Sequence, residues 1–539
     1  MHVRLSFRSH LALLVAFLAF MVFLWMLPAL LAGYPYTASE ILHQAQAFDA
    51  LRVLENAGAP LSVLSVWALH PFIGWENILG WSAVSCAWSA LALFVWWLCV
   101  HRLFDARIAW ISTVILSVMP LYWVEAVRMG GYPLAFLLLF AGGGWFLSLF
   151  PRHRVVAVLG SAAFYGFLLA VEHTFITFLP FFLLAYLWHR RTRLRWALAE
   201  CMLFCMTTYA AFMLPLLPNA LQKELTPLQR IAVFAPPIDD HYTGYGHLYP
   251  DEYAYTFLKE EFDAFFLQRA EQAPFITTQE DKNLLINFKI GRISLWDRLS
   301  NGVWLFAHAL PYLIFPETVG GVFLWLFILP GIAILCRRRQ TLCVHLLGLW
   351  LTMELVLRFG FHFVRNHVMD IGWMLALFAA VGIVEIASVL RPHWKRMSVS
   401  ALSGLIAVVV ALQLLQANRT FFARLYVRSE VPQMYAMRDA LKHIPFDAVV
   451  AYPPGKMSIL FFSNNTTVQL HPLTLDFLIR KGRLREPFDY YKVTHIFGYD
   501  DATTALIAKE LPSIQVVTPA PPVSINVTPF LRYLLHLFR

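Results

Sequence analysis

Four short stretches of this chain place residues that could do chemistry beside long apolar runs. The first is Tyr34-Pro35-Tyr36-Thr37-Ala38-Ser39-Glu40, followed by Ile41, Leu42, Ala45, Ala47, Phe48, Leu51 and Leu54 at the spacing of an interfacial amphipathic helix. Ser39 suits an N-cap and Glu40 a first turn, where the helix dipole favours a carboxylate. Glu40 therefore reads either as a cap-region acid or as a site residue. The second stretch is Val124-Glu125-Ala126-Val127-Arg128-Met129-Gly130-Gly131-Tyr132-Pro133. Glu125 and Arg128 are three apart and can pair on one helix turn; alternatively the acid faces a cavity, with Arg128 near a phosphate or sugar. The third is Glu172-His173-Thr174, at a turn between helices, where a structural histidine competes with a site residue. The fourth is Arg358, then Phe361-His362-Phe363-Val364-Arg365-Asn366-His367-Val368-Met369-Asp370. Two arginines and two histidines at a helix end make an anion site, because guanidinium forks match phosphate oxygens. Anchoring to lipid headgroups is the plainer alternative.

The elements that must position these residues are transmembrane helices. Hydrophobic residues make up 59% of the 539 and charged residues 14%, against about 25% charge in a soluble globular chain. That composition excludes an ordinary soluble enzyme, a disordered chain and a nucleic-acid-binding domain. About 20 apolar residues cross the hydrocarbon core, and the sequence offers eleven such segments, near 11–32, 82–100, 109–124, 133–150, 155–171, 174–189, 196–215, 318–336, 341–359, 368–390 and 399–416. Val303–Phe315 is apolar but short and reads as interfacial or re-entrant. Met1–His10 carries Arg4 and Arg8 before a run too long for a secretory signal, so the first helix is expected to stay uncleaved.

The arginines set the orientation. Arg102 and Arg107, Arg152 and Arg154, Arg190 to Arg195, Arg337 to Arg339, and Arg391, Lys395 and Arg396 all fall in alternate loops. By the positive-inside rule these loops and the N-terminus are cytoplasmic. The net charge of +9 is then cytoplasmic loop charge rather than a nucleic-acid footprint.

Three polar segments face the other side: Gly33–Gly80, Leu216–Gly302 and the chain from Asn418 onward. The expected organisation is a membrane domain over 1–417, with outside loops 33–80 and 216–302, and an extracytoplasmic domain over 418–539. The latter reads as α/β: a helix over Val431–His443, strands over Ala448–Tyr452 and Val493–Phe497, a helix over Thr503–Leu511 and a strand over Ile514–Val517. The terminal stretch Phe530–Arg539 is expected to lie on the membrane or dock on that domain. The second loop mixes Tyr242, Tyr245, Tyr249, Tyr253 and Tyr255 with Asp251 and Glu252, which suits sugar recognition or surface packing equally. Asp239-Asp240-His241 could ligate a divalent cation, but one short cluster does not make a metal site, and the cofactor stays open. The six cysteines lie in or beside apolar runs, with neither disulfide nor zinc spacing, and Cys201 and Cys205 read as small core residues.

The order and sidedness of these features resemble the GT-C membrane glycosyltransferases, the superfamily that includes protein O-mannosyltransferases and lipid A aminoarabinose transferases. The resemblance covers roughly residues 10–400. It is carried by the first outside loop with its acid, by Gly58-Ala59-Pro60-Leu61 through Pro71-Phe72-Ile73-Gly74, and by the turn Leu103-Phe104-Asp105-Ala106-Arg107-Ile108-Ala109. Met119-Pro120-Leu121-Tyr122 before an acidic loop and the late Arg365-Asn366-His367 complete it. It implies a polytopic α-helical fold with a small C-terminal α/β domain. It also implies inverting transfer of a sugar from a polyprenyl-phosphate donor, taken from the membrane lipid, to an extracytoplasmic glycan, lipid or protein acceptor. Glu40 is then the base, Glu125 orients the acceptor or helps bind a metal, Arg128 and Arg365 hold phosphate, and His173 and His367 assist. The sequence departs from the family in one place: Ser39 stands where the first-loop pair is usually Asp-Glu, and serine supplies no carboxylate base. Either Glu40 or Glu125 takes that role, or the chain is an inactive scaffold that binds lipid-linked glycan. Asp49, ten residues past Ser39, is a poorer base. A lipid or solute transporter ranks below both, since ionisable residues in the spans are few, Glu354 and Glu385 among them.

Overall fold

The computed structural model describes residues 6–32, 41–42, 45, 60–75, 77–128, 131–149, 153–189, 191–217, 251, 253–258, 261, 313–315, 318–360, 369–394, 397–427, 440–441, 443–445, 447–453 and 466–517. They divide into two compact units, one within Met1–Glu224, Val303–Arg358 and Phe363–Leu425, the other within Leu225–Gly302, Phe359–His362 and Tyr426–Arg539.

The first unit is a helical bundle. Its helices are α1 (Phe7–Ala32), α2 (Pro60–Ile73), α3 (Ile78–Leu103), α4 (Ala106–Val118), α5 (Pro120–Val127), α6 (Tyr132–Leu149), α7 (Arg154–Val171) and α8 (Leu179–His189). The series continues with α9 (Leu194–Met213), α10 (Trp325–Arg338), α11 (Gln340–Gly360), α12 (Met369–Leu390) and α13 (Val399–Val427). Each of the eleven expected spans overlaps these helices, with 109–124 divided between α4 and α5. Among the described residues seven helices are individually long and apolar enough to cross a bilayer, and the bent pair α4–α5 makes an eighth. The first unit is a polytopic membrane fold.

Helix α2 is an addition to the expected pattern. Pro60 stands at its first residue, where a missing N–H costs nothing, and Pro71 falls in its last turn. The amphipathic helix expected after Ser39 is described only at Ile41, Leu42 and Ala45, which are helical; the rest of that segment and most of 303–315 lie outside the described residues. Cys201 and Cys205 prove half-buried on α9 rather than core, and all six cysteines are free thiols.

Close helix contacts use glycine. A Cβ on Gly331 of α10 would meet the Phe378 carbonyl at 1.8 Å, and one on Gly382 of α12 would meet the Phe327 carbonyl at 2.0 Å. With no side chain at either position the two backbones touch, the small-residue packing that membrane helices use where burial of apolar surface gives little drive.

The second unit is α/β. Strands β1 (Val449–Tyr452), β2 (Thr466–Gln469), β3 (His495–Phe497) and β4 (Gln515–Val517) form a parallel sheet in the order β2-β1-β3-β4. Val450 pairs with Thr467 on one side and His495 on the other, and Ile496 with Val516. Helices α14 (Pro472–Arg480) and α15 (Arg485–Tyr490) lead from β2 to β3, and α16 (Asp501–Glu510) leads from β3 to β4. The strands expected near 448–452, 493–497 and 514–517 and the helix near 503–511 are present. Of the helix expected over Val431–His443, Ala440 and Leu441 are helical and most of the rest lies outside the described residues. The core joins Ala451, Leu475, Leu478, Phe488, Ile496 and Ile507 to Tyr253, Ala254 and Leu258 from the long middle segment.

Candidate active site

Glu125 owes its place to a broken helix. Met119 precedes Pro120, and the residue before a proline is pushed out of helical backbone; its ψ is 129°. The span therefore bends by 66° between α4 and α5. A break inside a bilayer leaves backbone groups that water cannot satisfy. Here side chains and a neighbouring loop take them up. The Trp25 indole donates to the Ser117 carbonyl at 3.0 Å, and the Asn418 amide donates to the Val118 carbonyl at 2.7 Å. The Leu121 N–H reaches the Thr318 carbonyl at 3.2 Å. The break between α4 and α5 is thus pinned from three elements, and every residue of α5 is buried.

Glu125, 3% exposed, lies 3.6 Å from the Arg128 guanidinium, whose side chain is 38% exposed. The pairing read from their three-residue spacing is present. Arg128 leaves helical backbone at the end of α5, and the Ser85 hydroxyl of α3 donates to its carbonyl at 2.7 Å. This turn leads to Gly131 and Tyr132, which start α6. A Cβ on Gly131 would sit 2.8 Å from the Val171 carbonyl and 3.5 Å from Glu172 Oε2. The turn therefore packs directly on the carboxyl end of α7.

Glu172 caps the 3-10 turn His173–Phe178. Its Oε1 accepts from the Thr174 hydroxyl at 3.0 Å and from the Thr174 N–H at 3.5 Å. His173 begins that turn, but its side chain lies outside the described residues, as does that of Arg358 in α11. Glu40, Arg365 and His367 lie outside them altogether, as do Asp239, Asp240 and His241. Sequence reasoning gave Asp370 no role, yet it stands at the start of α12, 1% exposed. Its surroundings include Tyr132, Thr174, Glu172 and Glu354, and Tyr132 in turn lies within electrostatic reach of Glu125 and Arg128. The second and third expected sites are thus brought together at one end of the bundle, with Asp370 as the group that joins them. Among the described residues no three or more His, Cys, Asp or Glu side chains are arranged to hold one metal ion.

No family model matches this sequence, and no curated protein does so either. Solved structures do match in shape. ArnT from Cupriavidus metallidurans bound to undecaprenyl phosphate aligns over 95% of this chain and 90% of its own, at 13% identity and a TM-score of 0.53. The Archaeoglobus fulgidus oligosaccharyltransferase in its apo form aligns over 90% of this chain and 69% of its own, at 13% identity and a TM-score of 0.55. The same oligosaccharyltransferase tethered to an acceptor peptide with the NVT sequon aligns over 94% and 68%, at 13% identity and a TM-score of 0.53. Both are GT-C proteins, and the likeness identifies the fold alone: this chain has the GT-C fold.

Proposed function

We propose that the protein is an inverting glycosyltransferase that moves a sugar from a polyprenyl-phosphate donor to an extracytoplasmic acceptor. The observation that carries this reading is the buried Glu125 with Arg128 at the end of a proline-broken span, in a fold shared with a protein bound to undecaprenyl phosphate. The loop arginines put the N-terminus in the cytoplasm and the C-terminal domain outside. The lipid tail stays in the bilayer while its phosphate reaches the surface.

Glu40 removes the proton from the acceptor as the new bond to the anomeric carbon forms. The bond from that carbon to the phosphate oxygen breaks on the opposite face, and the electron pair leaves with the phosphate. Arg128 and Arg365 stabilise the charge that develops there, assisted by His367 and His173; fixed cations in a site shielded from water act strongly at this point. Glu125 orients the acceptor and holds Arg128. Ser39 leaves Glu40 as the first-loop carboxylate, so the reading concentrates the base function on one residue.

The test is a transfer assay on the purified full chain in lipid with a panel of polyprenyl-phosphate sugars. Replacing the base is expected to lower kcat by roughly 100-fold or more, so Glu40→Gln and Arg365→Ala should both abolish most turnover. Undecaprenyl phosphate that binds without turnover, unaffected by Glu40→Gln, would instead make the chain a binding scaffold, the outcome that Ser39 favours.

A further inference from the structure

The end of the bundle that holds Glu125 buries several carboxyl groups. Glu125, Glu354 and Asp370 are 3%, 5% and 1% exposed, and Glu172 lies half-buried between Gly131 and Thr174. Burying carboxylates near one another is unfavourable, and packing alone would place an amide or an aliphatic side chain at such positions. Asp370 is the most extreme of them. Among the described residues neither of its oxygens closes a hydrogen bond of ordinary geometry, although the Tyr132 and Thr174 hydroxyls face it. Its backbone is fixed all the same: the Trp373 indole donates to the Asp370 carbonyl at 2.7 Å.

The same groups grip the turn between α5 and α6. Glu172 rests on Gly131, the Thr174 hydroxyl holds Glu172, and Tyr132 follows Gly131 directly. On the far side Ser85 holds the Arg128 carbonyl. We propose that Asp370 and Glu172 are positioning residues for the transfer reaction, acting through Tyr132 and Gly131 to hold the turn that carries Glu125 and Arg128. This rests on the glycosyltransferase reading above. The acids touch no reacting atom; they fix the orientation in which the guanidinium meets the donor phosphate. Unfavourable burial is retained because the carboxyl group holds that geometry.

The distinguishing feature is the sign of two effects. Asp370→Asn keeps the shape and removes a buried acid, so thermal stability should hold or rise, as it does when strained functional groups are removed. Turnover should fall roughly 100-fold, the scale of a misplacement of about an ångström. KM for the donor and binding of undecaprenyl phosphate should change little. Tyr132→Phe should give a similar loss, and the double variant should be no worse than either single one, because the two act as one unit. Asp370→Glu should recover part of the rate. The experiment measures kcat, KM and thermal unfolding for these variants of the full chain in lipid, beside wild type. Unchanged kcat in Asp370→Asn, losses that track a fall in stability, or additive losses in the double variant would each overturn the inference while leaving the glycosyltransferase reading intact. A wild type that turns over no donor would overturn both.

Discussion

Asp251 and Asp370 are both 1% exposed, and their surroundings treat the buried carboxylate in opposite ways. In the α/β unit Asp251 Oδ1 accepts from the Ala254 N–H at 2.8 Å, and Oδ2 accepts from the His471 N–H at 2.6 Å. One side chain thereby starts the helical turn Ala254–Leu258 and ties it to the head of α14. Tyr253 and Leu258 then complete the core of that unit. Tyr253 donates to Glu486 at 3.3 Å, and burial, then the Glu486 charge, pushes its phenol up to about 12, so it stays protonated and remains the donor. In the membrane unit, Asp370 closes no such bonds among the described residues. Full hydrogen bonding makes a buried carboxyl group a structural staple, whereas one left short of it persists because it serves something else.

The largest effect should come from breaking the staple. Asp251→Leu leaves two buried N–H donors facing an aliphatic side chain and should cost the α/β unit about 3 kcal/mol or more. Hydrogen exchange on the full chain checks it: protection across residues 470–480 should fall while that of α12 stays. If Asp251→Leu were as harmless as is expected of Asp370→Asn, the contrast between the two acids would be lost.

A middle-sized effect tests how Asp370 is carried. α12 seats on α10 through Gly382 and Gly331, where a Cβ would enter backbone atoms. Gly382→Ala should therefore cost about 1–3 kcal/mol by overpacking, read as a lower unfolding temperature in lipid. Gly404→Ala on α13, where a Cβ would meet nothing within 4 Å, is the control and should be neutral or slightly stabilising. Equal effects at the two positions would mean that the α10–α12 contact does not seat the helix that bears Asp370.

The sequence made the two regions legible to different depths, for physical reasons. The spans follow from apolar length and arginine sidedness, and Glu125 with Arg128 stands out because charge is costly beside an apolar run. Glu172 came to notice only with His173 beside it. Asp370 stayed hidden because it abuts the apolar run of α12, where it reads as a boundary residue, and its neighbours arrive from α6, from the turn after α7 and from α11. Asp251 was seen only as a loop carboxylate, since its partner His471 is 220 residues away and no local pattern marks the pair. Strand β2 was missed because Thr466–Gln469 is short, with one residue exposed and three half-buried. Helix α2 was read as a proline-rich approach, although Pro60 occupies its first turn, where a helix tolerates proline.

The smallest effect places a third carboxylate on the same scale. Asp500 is exposed and caps α16: Oδ1 accepts from the Thr503 N–H at 2.9 Å and Oδ2 from the Thr503 hydroxyl at 2.7 Å. Partial burial works against its charge, but these bonds outweigh burial and hold its carboxyl below the ordinary aspartate range. Because the folded value is depressed, the stabilisation is present above the unfolded value of about 4 and is lost as pH falls through the folded one. Asp500→Ala should cost about 1 kcal/mol near neutral pH, the usual worth of a cap. Asp500→Asn should keep most of the cap through its side-chain oxygen, yet remove the acid-side loss. Hydrogen exchange over residues 501–510 at pH 6 and pH 3 separates the two expectations. An acid-side loss that survives in Asp500→Asn would mean that the cap geometry and not the charge sets it.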